Sequence, residues 1–162
     1  MMKKETIKDI MGYVVIILAV VLIRTFVATP VRVNGLSMYP TLDNGNFMIL
    51  KKYARNDINR FDIVVIRRGK EKLIKRVIGL PMEDVEYRDN TIFINNELFP
   101  DDYGDGNTHD FVDYCAKDEY YVLGDNREDS TDSRIFGCIK KEDILGKTNF
   151  IIFPFDKWGT VE

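Results

Sequence analysis

The chain has 162 residues, 23 basic and 26 acidic side chains, a formal net charge of -3, and 45% hydrophobic and 30% charged residues. That composition fits one folded domain with an appendage and excludes a disordered chain. Without a basic field, or a basic stripe interleaved with aromatics, it also excludes a nucleic-acid binder.

The first element is apolar. After "MMKKETIKD" comes "IMGYVVIILAVVLI", residues 10–23, with no charged side chain. As a helix this run covers about 21 Å, short of the roughly 30 Å hydrocarbon core of a bilayer. If Arg24 snorkels to the headgroups, residues 10–29 reach about 30 Å, and Pro30 turns Thr29 out of the helix. A cleavable signal peptide fits less well, because "FVATP" lacks an A-x-A arrangement. A buried core helix apolar on all sides is unusual in so small a domain. A membrane anchor fits best. Lys3, Lys4 and Lys8 before the run, against Arg24 and Arg32 after it, weakly favour the N-terminus inside and the bulk of the chain outside. The expected organisation is a cytoplasmic segment 1–9, an anchor 10–29 and an extracytoplasmic domain 30–162.

Beyond Pro30 the period becomes that of strands. "NFMILKKY", "FDIVVIRR", "KLIKRVIGL", "DVEYRDNTIFINNELF", "EYYVLGD" and "TNFIIFPF" are short Val-, Ile-, Phe- and Tyr-rich runs separated by turn residues. "YRDNTIFI" predicts a hairpin turning at Asp89-Asn90, and "KKEDILGK" a single helical turn. The fold class is mostly β: a compact sheet or barrel-like catalytic domain behind one N-terminal transmembrane helix. The loop "PDDYGDGNTHD", residues 100–110, fails as a calcium loop. With Gly106 at the glycine position, Asp101 and Asp105 fall on ligand positions, but Tyr103 and Val112 fall where oxygen ligands are required. It reads as a solvated acidic loop. The two cysteines, Cys115 and Cys138, make neither a disulfide framework nor a metal cluster; a pair and two separate thiols both remain open.

Residues 34–42, "NGLSMYPTL", place Ser37 between a glycine turn and a Met-Tyr-Pro-Thr run. Such a serine is ordinary turn chemistry unless the chain supplies a base. The sole histidine, His109, lies in the polar loop, and a Cys115–His109 pair is a weak signal. Lysine is the remaining base, as in Ser-Lys variants of the serine triad. A solvated lysine, with a pKa of about 10.4, is protonated and inert; burial among apolar groups lowers that value. Lys75 in "KLIKRVIGLP" stands apart from the other lysines: alternation puts it on the apolar face of Leu73 and Val77, with Arg76 on the opposite one, although local sequence alone favours a lysine that snorkels from a sheet edge. A third stretch, "LGDNREDSTDSRIFG" (123–137), turns at Gly124-Asp125-Asn126 and then offers Ser130, Asp132, Ser133 and Arg134.

Together these stretches resemble the type I signal peptidases, membrane-bound Ser-Lys proteases that remove secretory signal peptides, in a short Gram-positive-like form. Five elements match in order: the anchor, "SMYPTL", "RFDIVVI", "KRVIGLP" and "GDNREDSTDSRIFG". The resemblance implies Ser37 as nucleophile, Lys75 as general base, and Ser130 as the hydroxyl that orients the lysine amine. It implies Asp132 and Arg134 as a structural pair, and Asp125, Asn126 and Arg127 as the shapers of the turn. The Ser37 backbone N–H becomes one oxyanion donor. No metal or organic cofactor is needed. The implied partners are signal peptides of preproteins cleaved after A-x-A, membrane lipids, and the secretion translocon as a functional neighbour. The substrate would add a strand near Val31–Gly35. Val33, Met38, Leu42 and Ile74 would line apolar pockets for small residues, and the aromatic stretch 149–158 either rests on the membrane or packs in the core.

Two departures stand out. Where the family usually reads G-L-P-G-[DE], this chain has Met82 after Pro81. If the usual glycine takes a positive φ, Met82 is strained or the turn is rebuilt. Gly35 stands where some relatives carry a serine hydroxyl, so a second oxyanion donor is unassigned. The competing function is a catalytically inactive, membrane-anchored binding or regulatory module. A self-cleaving regulator on a related β-fold would carry a DNA-binding domain in place of the anchor.

Overall fold

The computed structural model describes the backbone of residues 4–161 and side chains from Lys8 onward. Of the lysines used for orientation, Lys3 and the Lys4 side chain lie outside the described residues. Helix α1 (Lys4–Leu22) runs into a π-helical turn (Ile23–Val27). Residues Lys8–Val27, mean hydropathy 2.6, are long and apolar enough to cross a membrane, and none is buried against the rest of the chain. Exposure of every apolar side chain along it, including Val14, Ile17 and Val21, rules out a core helix. The helix stops at Val27 rather than Thr29, because Ala28 and Thr29 already belong to strand β1 (Ala28–Arg32) and pair with strand β2 (Phe47–Lys51). Pro30 has its bias toward extended backbone satisfied inside a strand, at an edge where its missing N–H costs nothing.

The β-domain is two sheets. The larger also contains β3 (Ile63–Arg68), β4 (Glu71–Gly79), β9 (Glu119–Leu123), β10 (Ile139–Lys140), β11 (Ile144–Phe153) and β12 (Gly159–Thr160). Its order is β1-β2-β11-β3-β4-β9-β10, with β12 beside β11. The smaller is β7-β6-β5-β8, from β5 (Asp84–Arg88), β6 (Thr91–Ile94), β7 (Glu97–Phe99) and β8 (Phe111–Tyr114). A short helix, α2 (Ser133–Phe136), follows the 124–132 loop.

The unbroken run "IVVI" in β3 reflects burial on both faces. Ile63 and Val65 join one core cluster with Val33, Met38 and Leu50, while Val64 and Ile66 join another with Val77 and Val122. A third cluster packs the small sheet (Val85, Tyr87, Ile92) on Ile78 of β4 and Tyr121 and Leu123 of β9. The β5–β6 hairpin turns at Asp89 and Asn90, φ 50° and 64°, as expected of a two-residue turn with both φ positive. β8 is absent from the sequence reading. It is a four-residue edge strand whose outward residues, Val112 and Tyr114, are exposed, and Asp113 breaks its apolar residues directly after the polar loop 100–110.

Cys115 and Cys138 form a disulfide, which ties the end of β8 to the residue after the α2 C-cap Gly137. Met82 keeps the glycine conformation without the glycine: φ is 67°, its N–H donates to the Cys115 carbonyl at 2.9 Å, and 59% of the residue is exposed. Left-handed backbone costs a non-glycine residue about 1–2 kcal/mol, of which glycine's extra unfolded-chain entropy returns a part. Met82→Gly is therefore expected to stabilise the protein by up to about 1 kcal/mol, or about 2–4 °C in Tm. A thermal melt showing a loss would mean that the Met82 side chain packs more than its exposure indicates.

Candidate active site

Ser37 sits in the turn that follows β1. Val33 N–H donates to Asn46 O at 2.8 Å and Gly45 N–H to Val33 O at 2.9 Å, so the β1–β2 pairing extends past Arg32 and closes the base of the loop. Within it, Tyr39 N–H donates to Leu36 O and Leu42 N–H to Met38 O. Met38 and Leu42 plug the loop into the core, at 1% and 0% exposure.

Lys75 approaches from β4, where it pairs with Val64. Its Nζ donates to Ser37 Oγ at 2.6 Å, and the residue is 2% exposed. Burial strips the ammonium of water and lowers its pKa from 10.5 to about 8, against the opposing pull of Asp132 and Asp125. When the amine is neutral the same contact reverses, and the hydroxyl donates to Nζ. The pair is thus a hydroxyl held against a base that is partly unprotonated near neutral pH.

The 124–134 loop forms the third wall. Asn126 N–H donates to the Ser37 carbonyl at 3.1 Å, which locks the loop to the serine turn. Gly124 has no room for a side chain: a Cβ there would fall 2.2 Å from Ser130 Oγ and 2.3 Å from Ser37 O. Ser130 Oγ therefore lies close to the Ser37 backbone. It is buried and, among the described residues, makes no hydrogen bond to Lys75 or to any other group. Asp132 accepts from Gly124 N–H at 3.0 Å and from Arg134 Nε and Nη2 at 2.8 and 2.7 Å. Burial alone would raise its pKa, but Arg134, the Gly124 N–H and the nearby Ser130 hydroxyl hold it below the usual carboxylate range. Arg134 Nη1 also donates to Arg127 O at 2.7 Å, so the Asp132–Arg134 pair braces both ends of the loop.

Asp125 does more than shape the turn. It is fully buried and receives two hydrogen bonds from Arg76, Nε at 2.9 Å and Nη2 at 2.8 Å. Arg76 also donates to Phe61 O at 2.9 Å, reaches Thr41 Oγ1 at 3.4 Å, and stacks its guanidinium over Tyr103 at 3.7 Å. One arginine, next in sequence to Lys75, thus clamps the 124–127 loop and the serine loop to β4. Strand alternation puts Arg76 on the face opposite Lys75 but names no partner for it. The available signal was a charged residue inside a strand buried on both faces, which requires an ion-pair partner.

Other readings change in three dimensions. Cys115 is oxidised and offers no thiol to His109, whose exposed ring stands edge-on to Phe111. Asp101 in the acidic loop is committed to Arg127 at 2.6 Å. Val33, Met38, Leu42 and Ile74 all fall in one packed cluster with Met48 and Leu50. In this conformation all four are core, Val33 at 3%, Met38 at 1%, Leu42 at 0% and Ile74 at 9% exposure, and none presents an open pocket beside the Ser37–Lys75 contact. The 149–158 stretch divides: Ile151 is core, whereas Phe153, Phe155 and Trp158 are exposed, Phe153 meeting Phe155 edge-to-face and Phe155 stacking on Trp158.

The family profile described as "Signal peptidase, peptidase S26" matches residues 5–153. The chain is 36% identical to Signal peptidase I P of Bacillus subtilis subsp. natto, over 96% of this chain and 94% of that protein. It is 32% identical to Signal peptidase IB of Staphylococcus aureus strain Mu50, over 97% and 94%. A crystal structure of a signal peptidase I from Enterococcus faecalis V583 superposes with a TM-score of 0.52 at 36% identity, covering 56% of this chain and 96% of that one.

Proposed function

Because the chain belongs to the signal peptidase family, peptidase S26, we propose that it removes N-terminal signal peptides from preproteins with a Ser37–Lys75 dyad. The observation that carries this reading is the 2.6 Å contact between Ser37 Oγ and a buried lysine whose pKa is drawn down to about 8. Neutral Lys75 takes the Ser37 proton as Oγ attacks the scissile carbonyl. The tetrahedral oxyanion is met by the Ser37 backbone N–H. Collapse breaks the C–N bond, and the Lys75 ammonium returns its proton to the departing amine, the new N-terminus of the mature protein. Lys75 then deprotonates a water that hydrolyses the acyl-enzyme ester and frees the signal peptide. Ser130, whose buried hydroxyl adjoins the Ser37 backbone, orients the amine. Asp132 and Arg134, with Asp125 and Asn126, hold the loop behind it.

β1 is the terminal strand of the larger sheet, so its outer edge supports addition of an extended substrate near Val31–Gly35. Small residues at the first and third positions before the cut then pack toward Val33 and Ile74, whose side chains, 3% and 9% exposed here, must be uncovered to receive them. The Lys8–Val27 helix supplies a single-pass anchor, with the catalytic domain on the extracytoplasmic side beside the translocon and the lipid surface. The exposed Phe47, Phe153, Phe155 and Trp158 suit the interfacial zone of that bilayer.

A membrane-inserted preprotein with A-x-A before its junction, incubated with the protein in liposomes, is expected to be cut after the second alanine. N-terminal sequencing of the product reads this directly. Because only the neutral amine serves as base, the rate is expected to rise with pH and to pass its half-maximum near pH 8. A well-folded protein that cuts nothing would leave the inactive binding module as the better reading. A rate insensitive to pH between 6 and 9 would remove Lys75 from the mechanism.

A further inference from the structure

The last carbonyls of the apolar helix have no further helical turn to satisfy them, and the β-domain answers them with one side chain. Lys52 opens the single 3-10 turn (Lys52–Asn56) that follows β2. Its Nζ donates to Arg24 O at 2.9 Å and to Thr25 O at 3.1 Å. The Thr29 hydroxyl donates to the same Arg24 O at 2.8 Å, and Ala28 N–H closes on Ile23 O. Among the described residues Lys52 is paired with no carboxylate, in a chain richer in acids than in bases. Its ammonium is committed to the negative end of the helix dipole.

Lys52 is equally fixed on its own side. Lys51, the last residue of β2, reaches Asn149 of β11 at 2.7 Å. β2 pairs with β1 from Ala28↔Lys51 to Arg32↔Phe47, and the pairing runs on through Val33 and Asn46 into the Ser37 loop. From the helix end to the serine loop there is thus no free hinge: β1 spans it, about 17 Å of strand, and Lys52 closes the triangle.

We propose that Lys52 is a positioning latch that holds the β-domain in one orientation on the membrane helix and so sets the height of Ser37 above the bilayer. The proposal rests on the signal-peptidase reading above. A soluble peptide can reach Ser37 whatever the tilt of the domain. A signal peptide embedded in the bilayer presents its scissile bond at a fixed depth, so only that substrate senses the latch.

The test uses the full-length protein, Lys52→Met and Lys52→Arg in phosphatidylcholine–phosphatidylglycerol liposomes, each assayed on an inserted preprotein and on a soluble peptide spanning the same junction. Lys52→Met is expected to slow preprotein cleavage about tenfold, since a misplacement of about 1 Å can cost up to about a hundredfold, and to leave the peptide rate within about twofold. Lys52→Arg, which keeps the cation, is expected to restore preprotein cleavage. Quenching of the single tryptophan, Trp158, by brominated lipids is expected to change in Lys52→Met and not in Lys52→Arg. Equal effects on both substrates, or none on either with unchanged quenching, would overturn the latch. Loss of both activities in both variants would make Lys52 a folding residue and overturn it as well. If the unsubstituted protein cuts neither substrate the peptidase reading fails, while the quenching comparison still decides the latch.

Discussion

Ser37→Ala and Lys75→Met are each expected to reduce preprotein cleavage by about 10⁴-fold or more, and the double variant to lose little beyond either one. Nucleophile and base act as one unit, so removing either removes the covalent route. The two variants are expected to part company in stability. An unfolded Lys75 stays protonated up to its ordinary pKa of 10.5, whereas the folded one releases its proton near 8. Between those values the unfolded chain binds more protons, so stability rises with pH across that window and carries its full penalty below pH 8. The shift corresponds to about 3 kcal/mol. Lys75→Met, which keeps the stem and drops the charge, is therefore expected to melt several degrees higher than the parent at pH 7 and to lose that advantage above pH 10. Ser37→Ala retains the buried amine and gains nothing of the kind. An inactive Lys75→Met that is no more stable at pH 7 would mean that the ammonium is better compensated by Asp132 and Asp125 than its burial indicates.

Asp125→Ala is expected to cost about 3–5 kcal/mol, because it removes a buried carboxylate that accepts two hydrogen bonds from the buried Arg76 guanidinium. For a chain of this size that is roughly a 6–20 °C fall in Tm. Arg76 and Asp125 are essentially inaccessible, at 1% and 0% side-chain exposure, so neither water nor salt can replace the missing partner. Glu86→Ala is the internal control. Its partner Arg88 is 53% exposed, and such pairs are worth about 0–1 kcal/mol. Replacing both partners, as Arg76→Met with Asp125→Leu, is expected to recover much of the stability and little of the activity, since the loop that holds Asn126 against Ser37 O loses its clamp. Denaturant titrations in which Asp125→Ala and Glu86→Ala lose the same amount would refute this account of the site.

Several features were legible in the residues alone because they are local. An uncharged apolar run is a helix that water cannot solvate, and so an apolar helix over residues 10–29 was evident, two residues out of step at each end with the Lys8–Val27 span of the structure. Alternating and continuous Val/Ile runs marked most strands, since burial on one or both faces prints directly on the sequence. The turn at Asp89-Asn90 followed from two residues that tolerate positive φ. Met82 was visible as an anomaly, and its conformation answered the question it posed: the turn kept its shape and Met82 took the strain.

What remained hidden was long-range and polar. β8, four residues interrupted by Asp113 and run straight on from the polar loop 100–110, is too short to stand out as a strand. The Cys115–Cys138 bond depended on where two distant loops end. Arg76 and Asp125 are 49 positions apart, and each is unremarkable until the other is placed against it in a medium where a lone charge is costly. The same holds for Lys52 and the helix end. Sequence by itself determined which segments are apolar, extended or turning, and, through a family pattern, which side chains to watch. Tertiary structure alone decided which of those charges meet. A hydrogen bond or ion pair is made over about 3 Å, and no periodicity in a chain encodes that distance.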